Sequence, residues 1–173
     1  RCDEHGGKHM TADEEFMRMA IDLAKQAAAE GEVPVGAVVV KGGAVIGTGR
    51  NRRETARQAV AHAEMEAIAA ACSRLGGWRL FGCDLYVTLE PCPMCAGAII
   101  NARIDRVIMG AADPKAGSCG SVVNLFDLPY NHRPMLVTGV LERECADLLS
   151  AFFRRLREQR AGKKRQGPWN TTI

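Results

Sequence analysis

Apolar and polar positions repeat along this chain with two periods, one typical of helices and one typical of strands. Thr11 and Glu14 stand three residues apart ahead of an apolar stripe, a capping-box pattern that predicts the start of a helix. Two β-rich runs, 35–40 and 44–48, flank Lys41-Gly42-Gly43 and predict a hairpin. The predicted buried stripe of the first helix consists of Phe16, Met19, Ala20, Leu23, Ala24 and Ala27.

The rest of the chain continues this alternation of strands and helices. A connection at 113–134 is rich in Gly, Asn, Asp and Pro, and a loop of that length in a small domain is often functional. Behind a leading helix, this order predicts an α/β domain whose mixed sheet lies between helix layers. The predicted helices cover 63–71, 96–102 and 141 to about 160, and the predicted strands cover 84–89, 106–111 and 136–140.

Length and composition indicate one domain. A chain of 173 residues, 47% apolar and 25% charged, is long enough for one globular core and too short for two domains of usual size. We expect a flexible leader or cloning remnant at 1–10, a folded domain at 11–160 and a basic, disordered tail at 161–173. No apolar run approaches the roughly 20 residues that span a bilayer, because Lys41 interrupts the longest β-rich stretch. The first residues do not resemble a secretory signal.

Cysteine usage bears on the cellular compartment. The seven cysteines are odd in number and lie mostly in apolar surroundings, which favours a reducing environment over a disulfide framework. We therefore expect a cytoplasmic protein without membrane association. Cys83 and Cys119 are interpreted as core or loop thiols rather than as a fourth metal ligand.

Cys92 and Cys95 lie three residues apart at the start of an apolar helical run. Cys92 can enter the helix with Pro93 at its first position, so that both sulfurs lie on one side of the first turn. The positive end of the helix dipole favours the thiolate, which is the form that binds metal. A lone C-x-x-C pair could also be a redox pair or half of a structural zinc knuckle, so its interpretation depends on the residues that accompany it.

His62 supplies a third possible ligand, and the sequence contains no second C-x-x-C or H-x-x-H to complete a closed cage. Three protein ligands and one open position are typical of catalytic zinc. Because two thiolates make the centre a weak Lewis acid, it benefits from a nearby base, and Glu64 is the candidate. Residues two apart in a helix point roughly 200° apart. His62 must therefore lie at the N-terminus of the helix for both side chains to face the metal.

Two other titratable residues are assigned structural roles. Glu90 precedes Pro91, which favours extended backbone, and we interpret it as a structural residue rather than as the base. His132 is far from the metal motif in sequence and is interpreted as a hydrogen-bonded structural histidine.

Positive charge is concentrated in a loop and at the C-terminal end. Segment 50–57 carries four arginines against one glutamate and leads directly to His62. Residues 154–165 carry seven basic residues and one glutamate, a net charge of +6, whereas the whole chain carries +3. Phe152-Phe153 stands beside Arg154 and Arg155, a combination that can bind and stack a nucleic acid. A solvated loop and a solvated basic tail remain alternative interpretations.

The motifs resemble a known family. His62-Ala63-Glu64 followed by Pro91-Cys92-Pro93-Met94-Cys95 resembles the signature of the zinc-dependent nucleobase deaminases, whose ligand set and reaction are known features of that family. The surrounding residues resemble the bacterial tRNA-specific adenosine deaminases from about residue 14 to residue 160. These matching segments are Glu32-Val33-Pro34-Val35-Gly36-Ala37-Val38, Asn51, Thr88-Leu89-Glu90, Gly110-Ala111-Ala112-Asp113-Pro114-Lys115 and Asn131-His132-Arg133.

This resemblance implies a fold, a reaction and further site residues. The implied fold is a three-layer α-β-α sandwich with a five-stranded mixed sheet, as in cytidine deaminase. The implied reaction is hydrolysis of adenosine to inosine at the wobble position of a tRNA anticodon stem-loop, with one zinc ion per chain and Glu64 as the proton shuttle. The resemblance also implies a homodimer and makes Pro34, Asn51 and Asp113 candidate substrate-binding residues, and the basic C-terminal end adds Arg154 and Arg155.

Two alternative functions share these residues. A zinc-dependent deaminase of free nucleosides or nucleotides, acting on cytidine, deoxycytidylate or guanine, would use the same ligands and the same acid/base group. The basic loop and the surroundings of Asp113 argue against it. A non-catalytic, zinc-stabilised RNA-binding module is the alternative from another class, and Glu64 together with the missing fourth ligand argues against that.

Overall fold

Five strands form one mixed sheet at the centre of the fold, in a computed structural model that describes residues 9–165, with side chains as far as Lys163. The sheet order is β2-β1-β3-β4-β5. β1 is antiparallel to both β2 and β3, whereas β3, β4 and β5 run parallel to one another. The five-stranded mixed sheet predicted from the sequence is therefore confirmed. The strands are β1 (Gly36–Lys41), β2 (Ala44–Arg50), β3 (Cys83–Leu89), β4 (Arg106–Ala111) and β5 (Met135–Val137).

Helices cover both faces of this sheet. Helices α3 and α4 pack on one face and α1 and α5 on the other, which completes the predicted three-layer sandwich. Among the helices between residues 9 and 165, none combines the length and apolar content that crossing a membrane requires. The helices are α1 (Ala12–Ala29), α2 (Arg53–Ala56), α3 (Ala63–Leu75), α4 (Pro93–Ala102) and α5 (Glu142–Arg165), with a 3-10 turn at Leu125–Asp127.

The strands bury both of their faces because each face supplies one hydrophobic core. Alternate residues of β1, such as Ala37 and Val39, pack beneath α3 and α4. Their neighbours Val38 and Val40 pack with Met17 and other residues of α1 on the opposite side. This period-two alternation explains why the central strands are nearly continuous apolar runs in the sequence.

The structure corrects part of the predicted helix pattern. The Thr11–Glu14 capping box is present, but the buried face of α1 is centred on Met17 and Ile21, while Met19 is 43% exposed. Ala20, Ala24 and Ala27 belong to both the predicted and the observed face, whereas Phe16 and Leu23 are only partly buried at its border.

Other element boundaries also differ from those predicted. Helix α5 continues to Arg165, beyond the predicted domain end at 160, and segment 50–57 contains the short helix α2 rather than only loop. The last strand ends at Val137, three residues before the predicted end. The rest of the predicted tail, 166–173, and the predicted leader as far as residue 8 lie outside the described residues.

Glycines in β2 allow α3 to lie unusually close to the sheet. A Cβ at Gly47 would overlap the carbonyl oxygen of Ala67, and a Cβ at Gly49 would overlap that of Ala63. Because the overlapping atoms belong to the helix backbone, they cannot be moved by rotating a side chain. The position of α3, and hence of the residues at its N-terminus, depends on these two glycines.

We expect Gly49→Ala to destabilise the protein by about 1–3 kcal/mol, because the added methyl group must push the α3 backbone away from the sheet. Gly77→Ala is the matched control, because a Cβ added at Gly77 would have no atom within 4 Å and the φ of this residue lies outside the left-handed region. The control should change the free energy of unfolding by no more than about 0.5 kcal/mol. Urea unfolding of both variants measures the difference, and equal stabilities would show that α3 tolerates displacement.

Candidate metal centre and active site

Two helices begin at the same place and bring three possible metal ligands together. His62 is the N-cap of α3, with φ −84° and ψ 153°, and Cys92 is the N-cap of α4, with Pro93 in the first turn. Cys95 lies in the first turn of α4 and is fully buried. The predicted helix N-terminus at His62 is therefore confirmed, as is the position of Cys92 at the entrance to its helix.

The distances between these side chains fit a metal ion. Nδ1 of His62 lies 3.6 Å from Sγ of Cys92 and 3.5 Å from Sγ of Cys95. All three ligand atoms lie within 4.8 Å of one another. In a tetrahedral zinc site, bond lengths of about 2.3 Å to sulfur and 2.0–2.1 Å to nitrogen place N and S about 3.6 Å apart. One imidazole nitrogen and two sulfurs are also a ligand set that zinc accepts, so the residues fit this metal.

The three groups share protons in a way that favours metal binding. The Cys95 thiol donates a hydrogen bond to Cys92 and, with the bond to His62, lowers the pKa of Cys92 to about 4. The same bond to Cys92, together with burial, raises the pKa of Cys95. The hydrogen bond to Cys92 raises the pKa of His62, with burial acting in the opposite direction. Metal binding needs both sulfurs as thiolates and an unprotonated imidazole nitrogen, so loading the site with metal releases protons.

Glu64 is the second residue of α3 and lies next to the candidate ligands. It is 4% exposed, and burial raises its pKa to about 7. A carboxyl group with this pKa can both accept and release a proton near neutral pH. The raised value and the position beside the ligands are the properties that an acid/base residue needs.

A cavity of about 220 Å³ opens directly onto these residues. Val33, Val35 and Leu89 supply apolar walls, while Asn51 and Asp113 supply polar groups. The same cavity is lined by His62, Glu64 and Cys92, so a group that enters it meets both the candidate ligands and the candidate base.

Two of the predicted substrate-binding residues line this cavity. Asn51 is 8% exposed; its Nδ2 donates to the carbonyl of Val33 at 3.2 Å, and its Oδ1 accepts from Arg53 N–H at 3.3 Å. One N–H and one lone pair of the amide are left for a ligand. Asp113 Oδ1 accepts from the backbone N–H groups of Lys115 and Ala116, which fixes the side chain at the start of its loop.

Pro34 is not among the residues that line the cavity. It occupies the corner of a tight turn in which Val35 N–H donates to the carbonyl of Val33 at 2.9 Å. Its side chain is buried, whereas both neighbours face the cavity. Pro34 shapes the turn that presents Val33 and Val35, and its contact with substrate stays a prediction.

The structure also brings different residues of α5 toward the site. Arg154 and Arg155 are exposed, and Arg155 lines a separate groove beside Ala28 and Gln159. Phe152, Phe153 and Arg160 instead line a depression of about 320 Å³, the side groove, together with Gly31, Glu32, Val33, Asn51, Arg53, Glu54 and Leu156. Val33, Asn51 and Arg53 line both the cavity and the side groove. The predicted helix is correct, but the rotation of α5 that selects Arg160 could not be read from the sequence.

Glu90 organises the loop that carries Asp113. Its carboxylate is 3% exposed and accepts from the backbone N–H groups of Asp113, Cys119 and Ser121 at 3.3, 3.2 and 3.1 Å, and also from the Ser121 hydroxyl. A Cβ at Gly117 would overlap this carboxylate, so the loop closes tightly around it. The structural role predicted for Glu90 is confirmed.

His132 also has the structural role predicted for it. Its Nε2 lies 2.6 Å from the carbonyl oxygen of Ile104, to which it donates, and Phe81 meets the ring edge-on. Cys83 and Cys119 are buried and lie outside the ligand cluster, as predicted.

Comparison with known proteins identifies relatives of this chain. The family model described as the cytidine and deoxycytidylate deaminase zinc-binding region matches residues 10–111, which include His62, Glu64, Cys92 and Cys95. The tRNA-specific adenosine deaminase of Bacillus subtilis (strain 168) is 51% identical over 157 residues, covering 90% of this chain and 98% of the relative.

Solved structures extend the comparison to three dimensions. A structure from a study of A-to-I editing by tRNA:A34 deaminases at the wobble position of transfer RNA has a TM-score of 0.76 and 47% identity. The match covers 78% of this chain and 99% of the chain in the solved structure. Guanine deaminase from Bacillus subtilis has a TM-score of 0.57 and 37% identity, covering 84% of this chain and 93% of that one. The fold and the family thus agree with the geometry of the site.

Cys95→Ala should reduce bound zinc from about one ion per chain to below one tenth, because two ligands cannot hold the ion as a chelating set of three does. Cys72→Ala is the matched control, since Cys72 lies outside the ligand cluster. Metal analysis by mass spectrometry after gel filtration measures the content of both variants. A chelator should lower the melting temperature of the wild type and leave that of Cys95→Ala unchanged, and full zinc content in Cys95→Ala would contradict this ligand assignment.

Proposed function

Since the chain belongs to the tRNA-specific adenosine deaminases of the cytidine and deoxycytidylate deaminase zinc-binding family, we propose that it hydrolyses the wobble adenosine of a tRNA anticodon loop to inosine. The observation that carries this proposal is the His62, Cys92 and Cys95 cluster with Glu64 beside it, in a chain that spans nearly the full length of such a relative. An anticodon loop offers an unpaired base, which can enter the cavity at little cost.

The reaction uses the protein groups in a fixed order. When held by His62, Cys92 and Cys95, zinc supplies Lewis-acid activation of a water molecule. Glu64 takes a proton from the attacking water and delivers it to the ring nitrogen as the water oxygen bonds to C6 of adenine. Glu64 then transfers the remaining proton of that water from the C6 hydroxyl to the amino group, so that the C6–N bond breaks, the C6 carbonyl forms and ammonia leaves. The raised pKa of Glu64, about 7, suits both proton transfers.

The remaining cavity residues hold the substrate. We assign Asn51 to a purine edge, because its amide keeps one donor and one acceptor position free after binding Val33 and Arg53. Asp113 is assigned to the target nucleotide and its 5′ neighbour. Arg154 and Arg155 are assigned to phosphates outside the cavity, where their exposed guanidinium groups suit a polyanion.

The assembly and the compartment belong to the same proposal. A homodimer would cover apolar side chains that are exposed in one chain, including Val122 at 62% and Tyr130 at 50%. A cytoplasmic location suits a tRNA substrate, and it suits a metal site whose two cysteines must stay reduced.

Guanine deaminase activity is the alternative that a comparison favours, because a guanine deaminase shares the fold at 37% identity. The side groove argues for the larger substrate, since it lies beside the cavity, shares Val33, Asn51 and Arg53 with it, and adds Arg160. A free base has no flanking nucleotides to occupy it.

An anticodon stem-loop RNA with adenosine at the wobble position should release ammonia and gain about one mass unit, whereas free adenosine, cytidine and guanine should not react. The zinc-loaded protein is incubated with each compound, and products are identified by mass spectrometry. Turnover of free guanine without turnover of the stem-loop would replace the proposed function with the alternative and leave the zinc chemistry intact.

Glu64→Gln should lower turnover of the stem-loop by about 10²–10⁴-fold, because the amide cannot carry the proton. The variant should keep one zinc per chain and bind the RNA with an affinity close to that of the wild type, since the side chain keeps its size. Single-turnover kinetics, metal analysis and a filter-binding titration measure the three properties. Turnover within threefold of the wild type would remove Glu64 from the role of proton shuttle.

A further inference from the structure

Glu32 is the strongest unexplained feature of the structure. It lies between α1 and β1, and its side chain is 1% exposed. Oε1 accepts the backbone N–H of Thr55 at 2.6 Å, across the end of the sheet. Oε2 is buried without a hydrogen-bond partner, the one such side-chain atom among the non-exposed residues that the structure describes. The deamination mechanism above makes no use of this residue.

Glu32 supplies a cap that α2 lacks locally. The first backbone N–H groups of a helix have no partners inside the helix and need acceptors from elsewhere. Arg52, the N-cap of α2, provides no side-chain hydrogen bond. Asn51 Oδ1 accepts the N–H of Arg53, and Glu32 Oε1 accepts the N–H of Thr55. The start of α2 is therefore held by one neighbouring residue and by one residue from a different part of the fold.

This cap fixes the wall between the cavity and the side groove. Asn51 and Arg53 line both spaces, and Asn51 is also bound to the carbonyl of Val33, the residue after Glu32. The turn at 32–33 and the segment at 51–55 are thus joined by two hydrogen bonds. Movement of Thr55 away from Glu32 would carry Arg53 and Asn51 with it.

A buried carboxyl group at this position calls for an explanation, because most buried polar atoms in native proteins have hydrogen-bond partners. A residue with one polar atom could accept the Thr55 N–H without leaving an oxygen unpaired.

We propose that Glu32 is a positioning residue for the reaction: its carboxylate, through the Thr55 N–H, holds Asn51 and Arg53 where the target nucleotide binds. The proposal rests on the proposed deaminase function for its kinetic consequence, but the clamp itself is a property of the folded chain. Glu32 does not touch the reacting atoms, so its removal should weaken substrate binding and leave the chemical step intact.

Glu32→Ala should raise the KM for the stem-loop roughly tenfold, with kcat within about threefold of the wild type and one zinc ion per chain. Glu32→Gln keeps an oxygen for the Thr55 N–H and should restore KM to within about threefold. Glu30→Ala is the matched control, because it also removes a carboxylate from this turn, but one that pairs with Arg50 at the surface. A loss of kcat at unchanged KM, or the same rise in KM for Glu30→Ala, would overturn the positioning role.

A mutant cycle tests whether Glu32 acts through the cavity wall. If it does, Glu32→Ala should lower kcat/KM by less than about twofold in a background that carries both Asn51→Ala and Arg53→Ala, because the two groups that it positions are already absent. Multiplication of the effect of Glu32→Ala by that of the background would contradict the proposal.

Amide hydrogen exchange separates this proposal from the proposed function. Exchange at Thr55 should be at least about tenfold faster in Glu32→Ala than in the wild type and unchanged in Glu30→Ala, whether or not the RNA is a substrate. Unchanged exchange in Glu32→Ala would overturn the clamp. A wild type that deaminates no stem-loop would overturn the proposed function instead, and the exchange rates would still decide whether the clamp exists.

Discussion

The metal centre requires two helices to start at the same edge of the sheet, about one helix diameter apart. β2 and β3 are both antiparallel to β1, so they run in the same direction and end at the same edge. Each leads into a helix on the same face, and with β1 between them the strands are about 10 Å apart, which is the spacing of packed helices. The N-termini of α3 and α4 therefore converge, and His62 meets Cys92 and Cys95 there.

Three buried glutamates line the cavity or the side groove, and their environments differ. The carboxylate of Glu90 accepts hydrogen bonds from three backbone N–H groups, and it thereby fixes the loop that carries Asp113. Glu64 is buried beside the ligands, and loss of solvent raises its pKa to about 7, the range of a proton carrier. Glu32 has one donor and one unpaired oxygen. The residue type is the same in each case, so the supply of hydrogen-bond donors distinguishes an anchor from an acid/base group.

The features that the sequence predicted are those encoded within a few residues. The capping box at Thr11, the hairpin and the helix starts at His62 and Cys92 depend on local spacing, and each is confirmed. The hydrogen bond between Glu32 and Thr55 joins residues that are 23 positions apart, so no local sequence pattern predicts it. The assignment of Pro34 to the substrate, made because its segment matches the family, stays a prediction, since side-chain direction within a turn depends on backbone geometry that a motif does not specify.

The rotation of α5 about its own axis is also not encoded in local spacing, and it determines which side chains line the side groove. The sequence places aromatic and basic residues on this helix, but packing against α1 and the sheet decides which of them face the side groove. Because Asn51 and Arg53 line the cavity and the side groove alike, the two spaces share one wall. A displacement of that wall would change the shape of both spaces together. Under the proposed function, selection of the base and of its flanking nucleotide would therefore be coupled through the segment that begins α2.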